Sequence, residues 1–128
     1  MKGQNLKRRP LGELELAIMD FVWARGGPTT VPDVHEHLTR SRKLAYTSTM
    51  TVMSRLFEKG LLKRNEKHRP YIYRPRLERE DYLAGLMVGV LSDVGDRRAA
   101  LARFVERIGA KDAETLSKLL QEAKSRRK

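Results

Sequence analysis

The residues best placed to do chemistry in this 128-residue sequence are a stripe of hydroxyls with one arginine, between Tyr46 and Lys59. Wound as a helix from Thr47, the stripe brings Thr51, Ser54 and Glu58 within about 40° of it, with Arg55 and Ser48 at roughly 80° and 100°. Met53, Leu56 and Phe57 take the opposite side. One face is therefore apolar and packs inward, while the other offers short polar side chains that enter a duplex groove without clashing. Hydroxyls bond phosphates and base edges, and a guanidinium can fork onto guanine. An ordinary solvated helix face would be rich in Glu and Lys, which favour helix more than threonine does. Two further basic groups flank the stripe: Arg42 and Lys43 in a connector before it, and Lys67-His68-Arg69 behind it. Phosphates are the natural targets of both.

Other chemistry finds little support. Asp33, His35 and His37 are close in sequence, but residues i and i+2 of a helix point about 200° apart, a poor chelate. Glu78, Glu80 and Asp81 have the pattern of an acidic first helical turn. No nucleophile paired with a base and no phosphate-binding loop is present, so neither an enzyme nor a metal or other cofactor is expected.

The elements that must position the stripe are legible from periodicity. Leu14, Ala17, Ile18, Phe21 and Val22 recur at helical spacing, with Leu16, Met19 and Trp23 as a second flank, which predicts a first helix buried on two sides and ended by Gly26-Gly27-Pro28. Thr30, followed by Val31, Pro32 and Asp33, is a helix start. The second helix runs to about Thr39 and turns Val34 and Leu38 inward. The third ends at Gly60. Leu61 to Lys67 and Tyr71 to Arg76 then read as a hairpin, with Tyr71 and Tyr73 packing on one strand face. Helix, connector, helix and hairpin in this order are the outline of a winged helix-turn-helix.

The charge balance agrees with that outline. Lys and Arg number 27 against 16 Asp and Glu, a formal charge of +11. Residues 1–76 hold 16 basic and 7 acidic side chains, whereas residues 77–128 hold 11 and 9, so the first part meets a polyanion. With zero cysteines there is no disulfide framework and no thiolate metal site. The longest run of apolar residues and glycine, Leu83–Leu91, is nine residues, far below the roughly 20 that span a bilayer. No secretory signal is visible either, so a soluble cytoplasmic protein without membrane insertion is expected. Residues 1–9 read as a flexible basic arm.

Beyond Leu77 three amphipathic segments follow, Glu78 to Ser92, Arg97 to Ile108 and Asp112 to Ser125, with Asp96 and Asp112 as expected N-caps and Gly109 as an expected C-cap. Their apolar faces comprise Tyr82, Leu83, Leu86, Met87, Val90 and Leu91, then Leu101, Phe104, Val105 and Ile108, then Leu116, Leu119, Leu120 and Ala123. Short helices with faces this wide need a partner surface, and a two-fold dimer supplies one. The fold class expected is thus mainly α with a small β-hairpin: a winged-helix DNA-binding domain over 10–76 and a three-helix dimerisation domain over 77–128.

The residues from Leu14 to Trp23, Val31 to His37 and Ala45 to Leu56, with Lys59-Gly60-Leu61-Leu62 and Tyr71-Ile72-Tyr73 behind them, resemble the BlaI/MecI/CopY family, nearest its actinobacterial BlaI-type members. The resemblance spans nearly the whole chain. It implies a homodimeric, sequence-specific repressor on inverted repeats with TACA/TGTA-like half-sites, over promoters of β-lactamase or other cell-wall and antibiotic-response genes. It carries the family's DNA-contacting positions onto Thr47, Ser48, Thr51 and Arg55. Met50 stands where staphylococcal members often have arginine, so one base contact is either missing or replaced by an apolar touch on a thymine methyl. In penicillin-sensing members a membrane sensor metalloprotease cleaves before a phenylalanine; the matching bond is Arg103-Phe104, with arginine in place of asparagine. CopY-type copper sensing is excluded because its cysteine cluster is absent. The competing expectation from charge alone is an architectural nucleoid protein that coats DNA without sequence preference.

Overall fold

The computed structural model describes residues 10–127; the basic arm expected over residues 1–9 lies outside them. The described residues form six helices and one hairpin: α1 (Glu13–Arg25), α2 (Val31–Thr39), α3 (Tyr46–Glu58), β1 (Leu62–Asn65), β2 (Ile72–Pro75), α4 (Arg79–Ser92), α5 (Arg97–Arg107) and α6 (Ala110–Arg126).

Local chemistry explains the element borders. Glu15 accepts the Gly12 N–H at 3.0 Å and so satisfies an otherwise orphan donor at the start of α1. The helix stops at Gly26, whose φ of 71° is the left-handed conformation that glycine adopts without steric cost. Thr30 and Asp33 cap α2 reciprocally: the Asp33 N–H donates to the Thr30 hydroxyl at 3.3 Å, and the Thr30 N–H donates to the Asp33 carboxylate at 3.0 Å. α3 unwinds at Gly60, φ 87°, where the Gly60 and Leu61 amides fold back onto the Phe57 and Leu56 carbonyls.

The head packs around Ile18, Met19 and Val22 of α1, Val31, Val34 and Leu38 of α2, and Met53 and Leu56 of α3, closed by Leu61, Leu62 and Tyr73. Met19 belongs to this core and Trp23 packs against it, while Leu16, expected on the same flank, is 39% exposed. The hairpin is antiparallel with Leu62 opposite Pro75 and Arg64 opposite Tyr73. It is shorter than the sequence predicts, because Glu66 to Tyr71 form the turn. β2 gains a second neighbour: Thr29 and Tyr73 exchange both backbone hydrogen bonds, at 3.0 and 2.7 Å, so the α1–α2 loop pins β2 of the wing.

The chain divides into two compact units, one ending at Val90 and the other beginning at Leu91, whereas the sequence pattern puts the border at residue 77. Tyr82 is the reason. Instead of joining an exposed helix face it is 4% exposed in the core of the first unit. Its hydroxyl accepts the Leu11 N–H at 2.9 Å, and its ring lies 5.6 Å from that of Trp23. Trp23 Nε1 donates to the Leu77 carbonyl at 3.0 Å, and Arg79 pairs with Asp20 at 3.2 Å. Leu86 packs partly against the same core.

In the second unit Asp96 caps α5 by accepting the Ala99 N–H at 3.0 Å. Gly109 is not a C-cap: both it and Ile108 are extended, and Gly109 serves as N-cap of α6, leaving Asp112 in its first turn. Neither α5 nor α6 has a buried residue. Among the described residues no helix is long and apolar enough to cross a membrane.

Candidate nucleic-acid interface

α3 divides into two faces, as its sequence requires. Thr49, Met53 and Leu56 are buried, whereas Thr47, Thr51 and Arg55 are exposed and Ser48 and Ser54 half-buried. The buried Thr49 is the residue the stripe analysis passed over. Its hydroxyl shares a 2.8 Å hydrogen bond with His35 Nδ1, and the His35 ring meets Tyr46 edge-on at 5.2 Å. These contacts fix α3 against α2. His37 stacks on Phe21 at 4.5 Å and Asp33 is engaged in its cap, so Asp33, His35 and His37 each have a structural partner of their own.

An open groove runs between α3 and the hairpin, bordered by Tyr46, Met50, Thr51, Ser54, Arg55 and Glu58 on one side and Arg64, Arg69 and Tyr71 on the other. A shallower hollow on the far side of α3 is bordered by Thr47, Ser48 and Arg55 together with Leu44. Thr51 and Arg55 thus face both depressions, as residues along the crest of an inserted helix should. Met50 is 47% exposed on the hairpin side. In the connector Arg42 is half-buried and Lys43 exposed.

At the hairpin tip Lys67, His68 and Arg69 are all exposed. The Lys67 N–H donates to Asn65 Oδ1 at 2.9 Å, which tightens the turn. The Arg69 guanidinium bonds the Glu66 and His68 carbonyls and lies 4.8 Å over the Tyr71 ring. It therefore lies along the wing rather than projecting freely.

Two charged groups at the site were missed by the sequence reading. Arg64 sits between α3 and β2, its side chain 15% exposed, and holds Glu66 at 2.6 Å. Burial works against its charge, and hydrogen bonds with Tyr73 and Glu66 outweigh burial, so its pKa lies above the ordinary value. Strand alternation is the signal that could have found it: Arg64 is two residues from buried Leu62 and so shares its face. The other group is Glu15, which accepts from Lys59 Nζ at 2.6 Å and ties the start of α1 to the end of α3. Burial would raise its pKa, but the Lys59 and Gly12 hydrogen bonds and the charges of Lys59 and Arg55 prevail and hold it below the usual value.

A three-helix head whose last helix shows a hydroxyl-and-arginine face beside a two-stranded wing defines a winged helix-turn-helix DNA-binding protein. Residues 11–122 match the penicillinase repressor family. The chain belongs to this family, the BlaI/MecI/CopY group of transcriptional repressors, which are not enzymes. It is 47% identical over 115 residues to the transcriptional regulator BlaI of Mycobacterium tuberculosis, covering 88% of this chain and 83% of that one. The penicillinase repressor of Bacillus licheniformis is 23% identical over 128 residues, covering 96% and 99% respectively. The fold is shared with the solution structure of the DNA-binding domain of the repressor BlaI, at a TM-score of 0.51 and 23% identity over 59% of this chain and 90% of that one.

Proposed function

We propose that this repressor acts in the cytoplasm as a homodimer on inverted-repeat operators of β-lactamase or other cell-wall and antibiotic-response genes. The observation that carries the reading is the exposed crest of α3, Thr47, Thr51 and Arg55, standing clear of the core beside a basic wing tip. α3 enters the major groove, Ser48 and Ser54 line its flanks, and Arg42, Lys43, Lys67 and His68 meet phosphates, with Arg69 bracing the wing tip behind them. Dimerisation uses the apolar residues Leu83, Leu86, Met87 and Val90 of α4 and, beyond them, Leu101, Phe104, Val105, Ile108, Leu116, Leu119 and Leu120. Occupying the promoter excludes transcription. Release follows an induced signal, and a membrane sensor metalloprotease cutting Arg103-Phe104 would break α5 within this surface.

A footprint of the purified protein on the DNA upstream of its own gene, with random DNA as competitor and salt varied, tests the reading. The expected result is protection of a discrete inverted repeat that survives competitor, with specific binding about 10³-fold tighter than non-specific. Smooth coating abolished by competitor would instead assign an architectural, sequence-indifferent role.

A further inference from the structure

The wing is attached to the head through both of its strands. β2 is held by the Thr29–Tyr73 pairing, and Arg64 of β1 stands opposite Tyr73. A two-stranded hairpin is marginal in water by itself, so its angle against α3 depends on side chains as well as on that pairing. Arg64 supplies the joint. Its guanidinium carbon lies 3.9 Å from the ring centroid of Phe57 in α3, and 5.0 and 5.9 Å from those of Tyr71 and Tyr73. One terminal nitrogen donates to the Tyr73 hydroxyl at 3.4 Å and to Ser54 Oγ of α3 at 3.5 Å. Nε and the other terminal nitrogen both donate to Glu66 Oε2, at 2.8 and 2.6 Å.

This geometry gives Arg64 a different task from the exposed cations around it. Its charge is matched by Glu66, and its donors are taken up by Glu66, Tyr73 and Ser54 rather than left free for a duplex. Its flat face touches the recognition helix on one side and the wing aromatics on the other. A lysine would carry the same charge with neither the plane nor the fork. We propose that Arg64 is a positioning residue for DNA recognition: it sets the spacing between α3 and the wing, so that Lys67 at the tip and the crest of α3 engage one duplex in the same register. The proposal rests on the DNA-binding reading above. Its consequence is energetic coupling between Arg64 in the joint and Lys67 at the tip.

The test uses the full chain and five variants, R64K, R64M, K67A and the doubles R64K/K67A and R64M/K67A. Binding is measured on a site selected from a random-sequence pool and on an unrelated duplex, at several salt concentrations, with thermal melts to confirm folding. In the wild-type background K67A should weaken binding about fivefold, whereas in either Arg64 background it should matter less than twofold. R64K and R64M should each narrow the ratio of specific to non-specific affinity about fivefold or more. Should R64M not fold, the R64K pair carries the same comparison. The proposal is overturned if K67A costs the same factor in all backgrounds, or if R64K matches the wild type. An R64M protein whose salt slope falls by about one with its specificity ratio intact also overturns it, since Arg64 would then be a plain phosphate contact. A wild type that selects no site removes the DNA-reading proposal itself, whereas a selected site with additive losses removes this inference alone.

Discussion

Ile18, Met53 and Leu56 have no exposed surface, while Leu101, Val105, Leu119 and Leu120, in the chain beyond Leu91, are between 45% and 57% exposed. The same kinds of residue at the same helical spacing serve two purposes. In the head, α1 to α3 and the hairpin, closed by Tyr82 of α4, surround one another's apolar faces within a single chain, while Leu83, Met87 and Val90 of α4 stay open. In α5 and α6 those faces remain open, and no side chain of either helix is buried. The core of the DNA-reading head is therefore closed in one copy, whereas the open apolar residues of α4, α5 and α6 call for another surface.

The largest expected effect follows from that contrast. Leu56→Ala removes a fully buried side chain and should cost about 2 to 5 kcal/mol of folding stability. Leu120→Ala, measured in dilute protein, should stay within about 0.5 kcal/mol while weakening self-association. Chemical unfolding with sedimentation distinguishes the two, and equal folding losses would break the comparison.

An effect of similar size concerns the position of the border. Cutting after Arg76 removes Tyr82 and should leave a head that unfolds in ordinary buffer or melts far below the intact protein, because a core aromatic typically contributes about 3 to 5 kcal/mol. Cutting after Ser92 should leave a folded monomer with much weaker operator binding, since the two half-sites are no longer linked. A stable fragment ending at Arg76 would return the border to the place the charge pattern suggests.

Smaller effects probe the reading face itself. Arg55→Ala should cost about 1 to 3 kcal/mol on the selected site and barely change non-specific affinity, as competition binding would show. Equal losses on both DNAs would demote Arg55 to a phosphate contact. The smallest effect concerns Glu15. Its pKa is depressed in the folded state, so the stabilisation by its pair with Lys59 is present above the unfolded value of about 4.5 and is lost as pH falls through the lower folded value. A partly exposed pair contributes about 1 kcal/mol or less. Glu15→Gln should therefore lower the melting temperature slightly at neutral pH, and the gap should close on acidification; a gap independent of pH would assign the loss to packing.

Legibility followed the range of the interactions concerned. The Thr30 cap and the Gly26 and Gly60 helix ends depend on neighbours within a few residues, and each was read from sequence. So was the two-faced pattern of α3, since the helical period alone sorts Met53 and Leu56 from Thr47 and Thr51. Gly109 was misread because a glycine between two helices suits either a left-handed C-cap or an extended N-cap, and short-range pattern does not choose between them. Thr49 was passed over because a hydroxyl does not mark a core residue by type, although the helical period turns it away from the Thr47 face and His35 satisfies it in the interior.

By itself the sequence determined the order of helix, helix, reading helix and wing, the polar crest of α3, and the family to which the chain belongs. Only the tertiary structure decided that Tyr82 closes the head, that Thr29 pairs with the wing and that Arg64 joins wing to helix. Each of these contacts depends on segments brought together by packing: Tyr82 meets the amide of Leu11, 71 residues earlier. Local periodicity states which face of an element is apolar or polar, but it carries no information about which distant residue will stand opposite that face.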